Sequence, residues 1–236
     1  MISLFFYPLK NLKILRHNYF WLYALVGGIT NIAYALAVIE GHLIRVMLLF
    51  FLSPVWTIPL AYFILKEAIK LRHTLAAFLC IIGACIILWH PNILDTGLGL
   101  GDIYGIIGGI GFALTNVLAR LLSSFSVKEK SYAIWIGVVL MALITILFVP
   151  FSFNLDSINF SSFSLILMVG FILLLATLII QHGLRLVDAV RAGPIFLFEI
   201  IIVAVSGYVL VNEVIFMKDF FGGLLIMSGI FISGRK

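Results

Sequence analysis

Residues 45–90 read RVMLLFFLSPVWTIPLAYFILKEAIKLRHTLAAFLCIIGACIILWH, and residues 191–236 read RAGPIFLFEIIIVAVSGYVLVNEVIFMKDFFGGLLIMSGIFISGRK. Each stretch is an apolar span, a short polar break that carries a Glu, and a second apolar span. A shift of 146 positions aligns the two without a gap and gives eight identical pairs, whose first members are Arg45, Phe50, Tyr62, Glu67, Ile69, Leu79, Gly83 and Ile86. The pattern predicts a chain of two related halves, which is typical of transporters with an internal repeat.

The composition is that of a membrane protein. Hydrophobic residues make up 64% of the 236 residues and charged residues 11%, and the mean hydropathy is +1.24. A soluble domain of this length needs a more charged surface. The net charge of +5 does not indicate nucleic-acid binding, because the cations occur in small groups between apolar spans. We expect neither a signal peptide nor a folded domain outside the membrane.

Eight apolar spans are predicted, each near the roughly 20 residues that a helical crossing needs. The fold class is therefore an all-α integral membrane protein, with a first repeat over 1–92 and a second over 101–236. The predicted spans are 19–39, 46–65, 74–89, 103–119, 132–150, 160–181, 192–211 and 220–233.

The positions of the basic residues predict the orientation of the chain. With a cytoplasmic N-terminus, 13 of the 15 Lys and Arg residues fall inside, and only Arg45 and Lys218 fall outside. The break at Glu67 then faces the cytoplasm, whereas the break at Glu213 faces outside. The halves are thus predicted to be inverted, as alternating access requires. We expect a multi-pass protein of the plasma (cytoplasmic) membrane with both termini cytoplasmic.

Glu199 is the one carboxylate in the body of a predicted span, FLFEIIIVAVSGYVL. An ionised group at that depth is costly and is a functional-site hypothesis by default. The functional interpretation is a site that takes a proton or the amine of a solute. The alternative is a structural carboxylate near the interface that is satisfied by neighbouring polar groups.

Other polar and aromatic residues are candidates for the wall of a solute pathway. Pro54 should loosen its helix and free carbonyl groups, although a packing kink is equally consistent. Asn31 and Tyr34 share a helix face. Tyr208 also fits an interfacial aromatic belt, and Gln181 is expected at the interface. The predicted pathway residues are Glu199, Asn31, Tyr34, Pro54, Trp56, Asn116 and Tyr208.

No catalytic or metal-binding constellation is expected. Gly99-Leu100-Gly101-Asp102 has the GxGD form of intramembrane aspartyl proteases, whose chemistry needs a second Asp in a neighbouring span. The remaining aspartates lie in predicted loops or at span ends, and an Asp that opens a helix is an ordinary cap. Cys80 and Cys85 are five residues apart and fit apolar packing. We expect no cofactor and no enzymatic activity.

The two stretches quoted above, with GDIYGIIGGIGFALTNVLARLL after residue 100, resemble the EamA-like branch of the drug/metabolite transporter superfamily. The resemblance covers nearly the whole chain and implies ten spans in two inverted five-helix repeats around a central cavity. The family commonly has an acidic residue before a Pro where Glu199-Ile200 stands here. Only three spans are counted in the first half, so the first two family helices are expected to be missing, giving 3 + 5 spans.

The predicted function is secondary transport of a small organic solute by alternating access, coupled to protons through Glu199. The alternative is a non-transporting truncated fragment or a subunit that packs against other helices. The expected partners are the lipid bilayer and a small-molecule solute, and a homodimer is left open. Nothing in the sequence chooses among metabolites, amino acids and drugs.

Overall fold

The structure, a computed structural model, describes residues 15–89, 97–148, 160–211 and 216–234. Within these ranges the chain forms α1 Asn18–Glu40, α2 Leu43–Phe51, α3 Ser53–Leu60, α4 Leu71–Leu88, α5 Leu100–Leu121, α6 Val127–Phe148, α7 Phe160–Gly183, α8 Ala189–Phe196, α9 Phe198–Val211 and α10 Met217–Gly234. A π-helical turn, Ala61–Leu65, extends α3. Because α2, α3 and this turn are continuous, as are α8 and α9, the described residues hold eight helical segments long and apolar enough to cross a membrane. The predicted all-α, eight-span fold is confirmed.

Some sequence predictions fall on residues that the structure does not describe. These are the N-terminal stretch with Lys10 and Lys13, the loop with Asp95, the end of the fifth predicted span at Pro150, the loop with Asp156, the Glu213 break, and Arg235 with Lys236.

Small residues bring the helices of the bundle close together. The most extensive helix contacts join α4 to α10, and α1 to both α5 and α6. A methyl group on Gly83 of α4 would lie 2.5 Å from the carbonyl oxygen of Gly222 in α10. A methyl group on Gly137 of α6 would overlap the carbonyl group of Ala24 in α1. These backbones approach so closely because glycine lacks a Cβ, as expected for helix packing in a membrane.

The two spans that correspond in the repeat are both broken near their middle. The first breaks at Leu52, between α2 and α3, and the second at Leu197, between α8 and α9. The N–H group of each break residue donates to the carbonyl two residues earlier. Its own carbonyl accepts from the N–H three residues later, at 2.9 Å from Val55 and 3.1 Å from Ile200. The two breaks therefore have the same pattern of hydrogen bonds. The second break lies one residue before the position that the shift of 146 residues aligns with the first.

The first break has a clear cause in the sequence, because Pro54 near the start of α3 has no N–H group and disfavours helical geometry before it. The second break follows Pro194, which lies inside α8. It occurs although Ile200, and not Pro, follows Glu199. A Pro after the acidic residue is thus not needed for a broken helix at this place.

Polar contacts define two ends of the bundle. Arg120, at the end of α5, pairs with Asp188, just before α8, at 3.3 Å. We call this end, which also carries Lys130, Arg185 and Arg191, the basic end.

At the opposite end, each of the two cations that the charge count places outside makes a polar contact. Arg45 pairs with Asp102 at 2.5 Å, and Lys218 donates to the carbonyl of Trp89 at 2.6 Å. Their presence at that end is therefore explained by local contacts.

Candidate functional site

A cleft opens between α1, α2, α5, α6 and α7, with an empty volume of about 640 Å³ including its mouth. Its position is near the middle of α1 and of the span formed by α2 and α3. The cleft is lined by Thr30, Asn31, Tyr34, Phe50, Phe112, Thr115, Asn116, Ile134, Thr177, Ile180 and Gln181.

Aromatic rings form one wall of the cleft. The ring of Phe50 lies 4.8 Å from that of Tyr34 and 5.2 Å from that of Phe112, measured between centroids. Phe112 in turn lies 5.0 Å from Phe196. Phe50 and Phe196 are an identical pair of the repeat, and each lies just before the break in its span: Phe196 ends α8, and Phe50 is the last residue but one of α2. The matching residues of the two halves thus meet on the same ring, Phe112 of α5.

Hydroxyl and amide groups form the polar part of the cleft wall. The hydroxyl of Thr30 donates to the carbonyl of Val26 at 2.7 Å and lies 3.4 Å from the hydroxyl of Thr115. The amide nitrogen of Asn31 donates to the carbonyl of Gly27 at 2.8 Å. Since helix carbonyls already satisfy these groups, the polar wall is stable in the absence of a solute.

Gln181 is one of the cleft residues whose role the sequence does not predict. It was expected at the interface, but it is buried and its Nε2 donates to the hydroxyl of Tyr23 in α1 at 2.8 Å. Its buried Oε1 has no hydrogen-bond partner among the described residues. With the amide flipped, Nε2 would be the atom without a partner. In either orientation, therefore, one buried polar atom of the cleft wall lacks a hydrogen bond. A hydrogen-bonding group of a bound solute would satisfy it.

The predicted pathway residues fall into two groups. Asn31, Tyr34 and Asn116 line the cleft, and Asn116 is almost fully buried. Glu199 does not line the cleft: it is exposed and lies in the first turn of α9, directly after the break.

The remaining predicted pathway residues do not line this cleft. Pro54 is buried where α3 crosses α8, and a methyl group on Gly193 would lie 3.1 Å from its Cβ. Trp56 and Tyr208 are 38% and 55% exposed.

Asp102 of the GxGD stretch has a structural environment. It is 1% exposed, and one carboxylate oxygen pairs with Arg45. The other accepts a hydrogen bond from the N–H of Gly99 at 2.8 Å and so caps α5. The sequence predicts Asp102 as the N-cap itself, whereas the N-cap is Gly99 and Asp102 lies at the third helical position. The sequence does not predict the buried ion pair, because Arg45 lies 57 residues away.

Comparison with known proteins assigns the family. The EamA-like transporter family matches this chain over residues 1–89 and again over residues 99–235. The chain belongs to this family. It is a membrane transporter of the drug/metabolite type.

Two further proteins resemble this EamA-like transporter. An uncharacterized transporter of Archaeoglobus fulgidus is 23% identical over 215 residues, which cover 90% of this chain and 75% of that protein. A protein of known crystal structure superposes with a TM-score of 0.75 and 16% identity, over 95% of this chain and 78% of the other. At that identity the crystal structure supports the fold alone.

Proposed function

We propose that this EamA-like transporter carries a small organic solute through the cleft between its two halves by alternating access. The observation that supports this most is the composition of the cleft wall. Helices α1 and α2 of the first half and α5 to α7 of the second contribute both an aromatic face and hydrogen-bonding groups. A relative movement of the halves would therefore change the access to a solute held between them.

The chemistry of the wall favours an amphipathic solute. The rings of Tyr34, Phe50 and Phe112 provide an apolar surface for stacking. Asn31 and the unsatisfied amide atom of Gln181 provide hydrogen bonds. A solute with an apolar body and one or more uncharged polar groups would match both surfaces.

Glu199 is the residue that we propose for proton coupling. Its place in the first turn of α9 favours the ionised carboxylate, since the N-terminus of a helix carries partial positive charge. The surrounding membrane opposes ionisation. These opposing influences suit a group that gains and loses a proton during transport. Glu199 is three residues after Phe196, whose ring contacts Phe112 of the cleft wall.

The inversion of the two repeats is also part of the proposal. The halves correspond to residues 1–92 and 101–236, and their matching spans are broken at Leu52 and Leu197. Broken helices at the interface of inverted repeats form the solute and ion sites of many secondary transporters. The contacts that Phe50 and Phe196, one from each half, make with the same ring, Phe112, support this relationship.

We do not propose an enzymatic activity. The one protease-like motif places its aspartate in a cap and a buried ion pair, where both carboxylate oxygens are already engaged. An aspartyl protease needs two carboxylates that share a proton.

A cysteine-accessibility experiment tests whether the cleft admits water and solute. In a background with Cys80→Ala and Cys85→Ala, the variant Asn31→Cys should react with a membrane-impermeant thiol reagent. The control Phe171→Cys should not react. Residue 171 is 55% exposed on the apolar surface of α7, a surface that would contact lipid rather than water. A transported solute should slow the reaction at residue 31. If the reagent labelled residues 31 and 171 equally, or labelled neither of them, the proposal of an aqueous cleft would be contradicted.

A further inference from the structure

A second pocket lies at the basic end of the bundle, outside the cleft. It has an empty volume of about 390 Å³ and lies where α5 ends, α6 begins and α7 ends. We propose that this pocket binds the phosphate group of an anionic ligand, either a phospholipid headgroup or a soluble phosphate. The residues that line it are Ala119, Arg120, Ser123, Lys130, Leu184 and Arg185.

Lys130 is the observation on which the proposal depends. Its side chain is completely buried, and its ammonium group donates to the carbonyl of Ala119 at 3.0 Å. An ammonium group has three hydrogens to donate. Arg120 and Arg185 are the charged groups with the largest electrostatic effect on Lys130, and both are cations. A buried cation beside two others needs compensating negative charge, or it loses its proton.

The protein supplies part of that compensation. The carbonyl of Ala119 belongs to the last turn of α5, where a helix carries about half an elementary negative charge. This arrangement alone would make Lys130 a simple helix cap. It does not offset Arg120 and Arg185, which share the pocket with it.

The carboxylates at the basic end are engaged with other groups. Glu129 accepts a hydrogen bond from the N–H of Ser126 at 2.7 Å, and it is not among the charges that act on Lys130.

Asp188, a second carboxylate at this end, is shared between two arginines. Asp188 contacts both Arg120 at 3.3 Å and Arg191 at 3.5 Å. Glu67 interacts electrostatically with Arg120 and Asp188, and it is not among the charges that affect Lys130. Burial, together with the charge of Asp188, raises the pKa of Glu67. The pocket therefore keeps an excess of positive charge.

The donors around the pocket fit a tetrahedral oxyanion. The guanidinium groups of Arg120 and Arg185 match phosphate oxygens, Lys130 adds a point charge, and Ser123 adds a hydroxyl. Helix ends also lie at the depth of lipid headgroups, where basic pockets between spans bind anionic lipids. A phosphate of either source would provide the missing negative charge.

The test uses the full-length chain purified in detergent, with the melting temperature as readout. We would titrate phosphatidylglycerol, phosphatidylcholine and, separately, inorganic phosphate. Phosphatidylglycerol or inorganic phosphate should raise the melting temperature, and phosphatidylcholine should not. A rise with the lipid alone identifies a headgroup site, and a rise with inorganic phosphate alone identifies a site for a soluble anion.

Three variants make the test specific. Lys130→Met and Arg185→Gln should each weaken the effect of the anion about fivefold, as expected for the loss of one basic residue near a headgroup. The control Lys128→Met removes an exposed lysine two residues from Lys130 and should leave the effect unchanged. Arg185 is exposed, so its variant should fold even if Lys130→Met does not. Absence of stabilisation by either anion, or an equal loss in Lys128→Met and Arg185→Gln, would overturn the proposal.

Discussion

Glu199→Gln is expected to abolish solute accumulation driven by a proton gradient while the protein still folds and binds solute. Glutamine has nearly the same size and polarity as a protonated glutamate, but it cannot release a proton. If one proton moves with one solute, a difference of one pH unit supports up to about tenfold accumulation. The variant should equilibrate the solute without concentrating it. The measurement is uptake into proteoliposomes with and without an imposed pH gradient.

The control for this experiment is Glu40→Gln, which removes an exposed carboxylate at the end of α1. It should accumulate solute as the wild type does. Gradient-driven accumulation by Glu199→Gln at the wild-type level would remove Glu199 from the coupling mechanism. Transport itself would remain, because the proposal for the cleft rests on other residues.

Asp102→Asn is expected to cause the largest loss of stability among these variants, about 3–5 kcal/mol. Asparagine leaves the guanidinium of Arg45 buried without its carboxylate. Arg45 begins the first broken span and Asp102 begins α5, so the pair joins the two halves at the opposite end of the bundle. The measurement is thermal or denaturant unfolding of the purified protein.

Asp219→Asn is a matched control for that variant. Asp219 caps α10 as Asp102 caps α5, since each accepts a hydrogen bond at 2.8 Å from the N–H three residues earlier. The amide oxygen of asparagine can still accept this hydrogen bond, so only the negative charge at the helix N-terminus is lost, which should cost about 0.3–1 kcal/mol. The double variant Arg45→Met with Asp102→Leu should recover much of the stability, because both charges are removed together. Equal losses in Asp102→Asn and Asp219→Asn would show that the ion pair contributes nothing.

The spans and the first helix break could be predicted from local sequence. An apolar stretch of about 20 residues has few alternatives to a membrane helix, and Pro54 disrupts the helix through its own missing N–H group. The break at Leu197 was not predicted. The family pattern places a Pro after Glu199, whereas the nearest Pro here is Pro194, inside α8.

The residues that the sequence missed are those whose role depends on a distant partner. Gln181 is near a helix end along the chain, but Tyr23, 158 residues away, draws it into the interior. Lys130 was counted as a loop cation, yet it is buried under the end of α5. Conversely, Trp56 and Tyr208 have suitable chemistry for a solute wall but are exposed away from the cleft. Composition identifies candidate residues, and only tertiary packing decides which of them meet.

The most direct test of the inverted halves is the sidedness of Lys70 and Phe216, which occupy the same position in the two repeats. Both are exposed and lie just before a helix, α4 and α10 respectively. Single cysteines at these positions would be labelled with an impermeant reagent in right-side-out and inside-out vesicles, with Ser124→Cys at the basic end as a reference. We predict that residues 70 and 124 react from the cytoplasmic side and residue 216 from the outside. Reaction of residues 70 and 216 from the same side would contradict inverted repeats and the alternating access proposed from them.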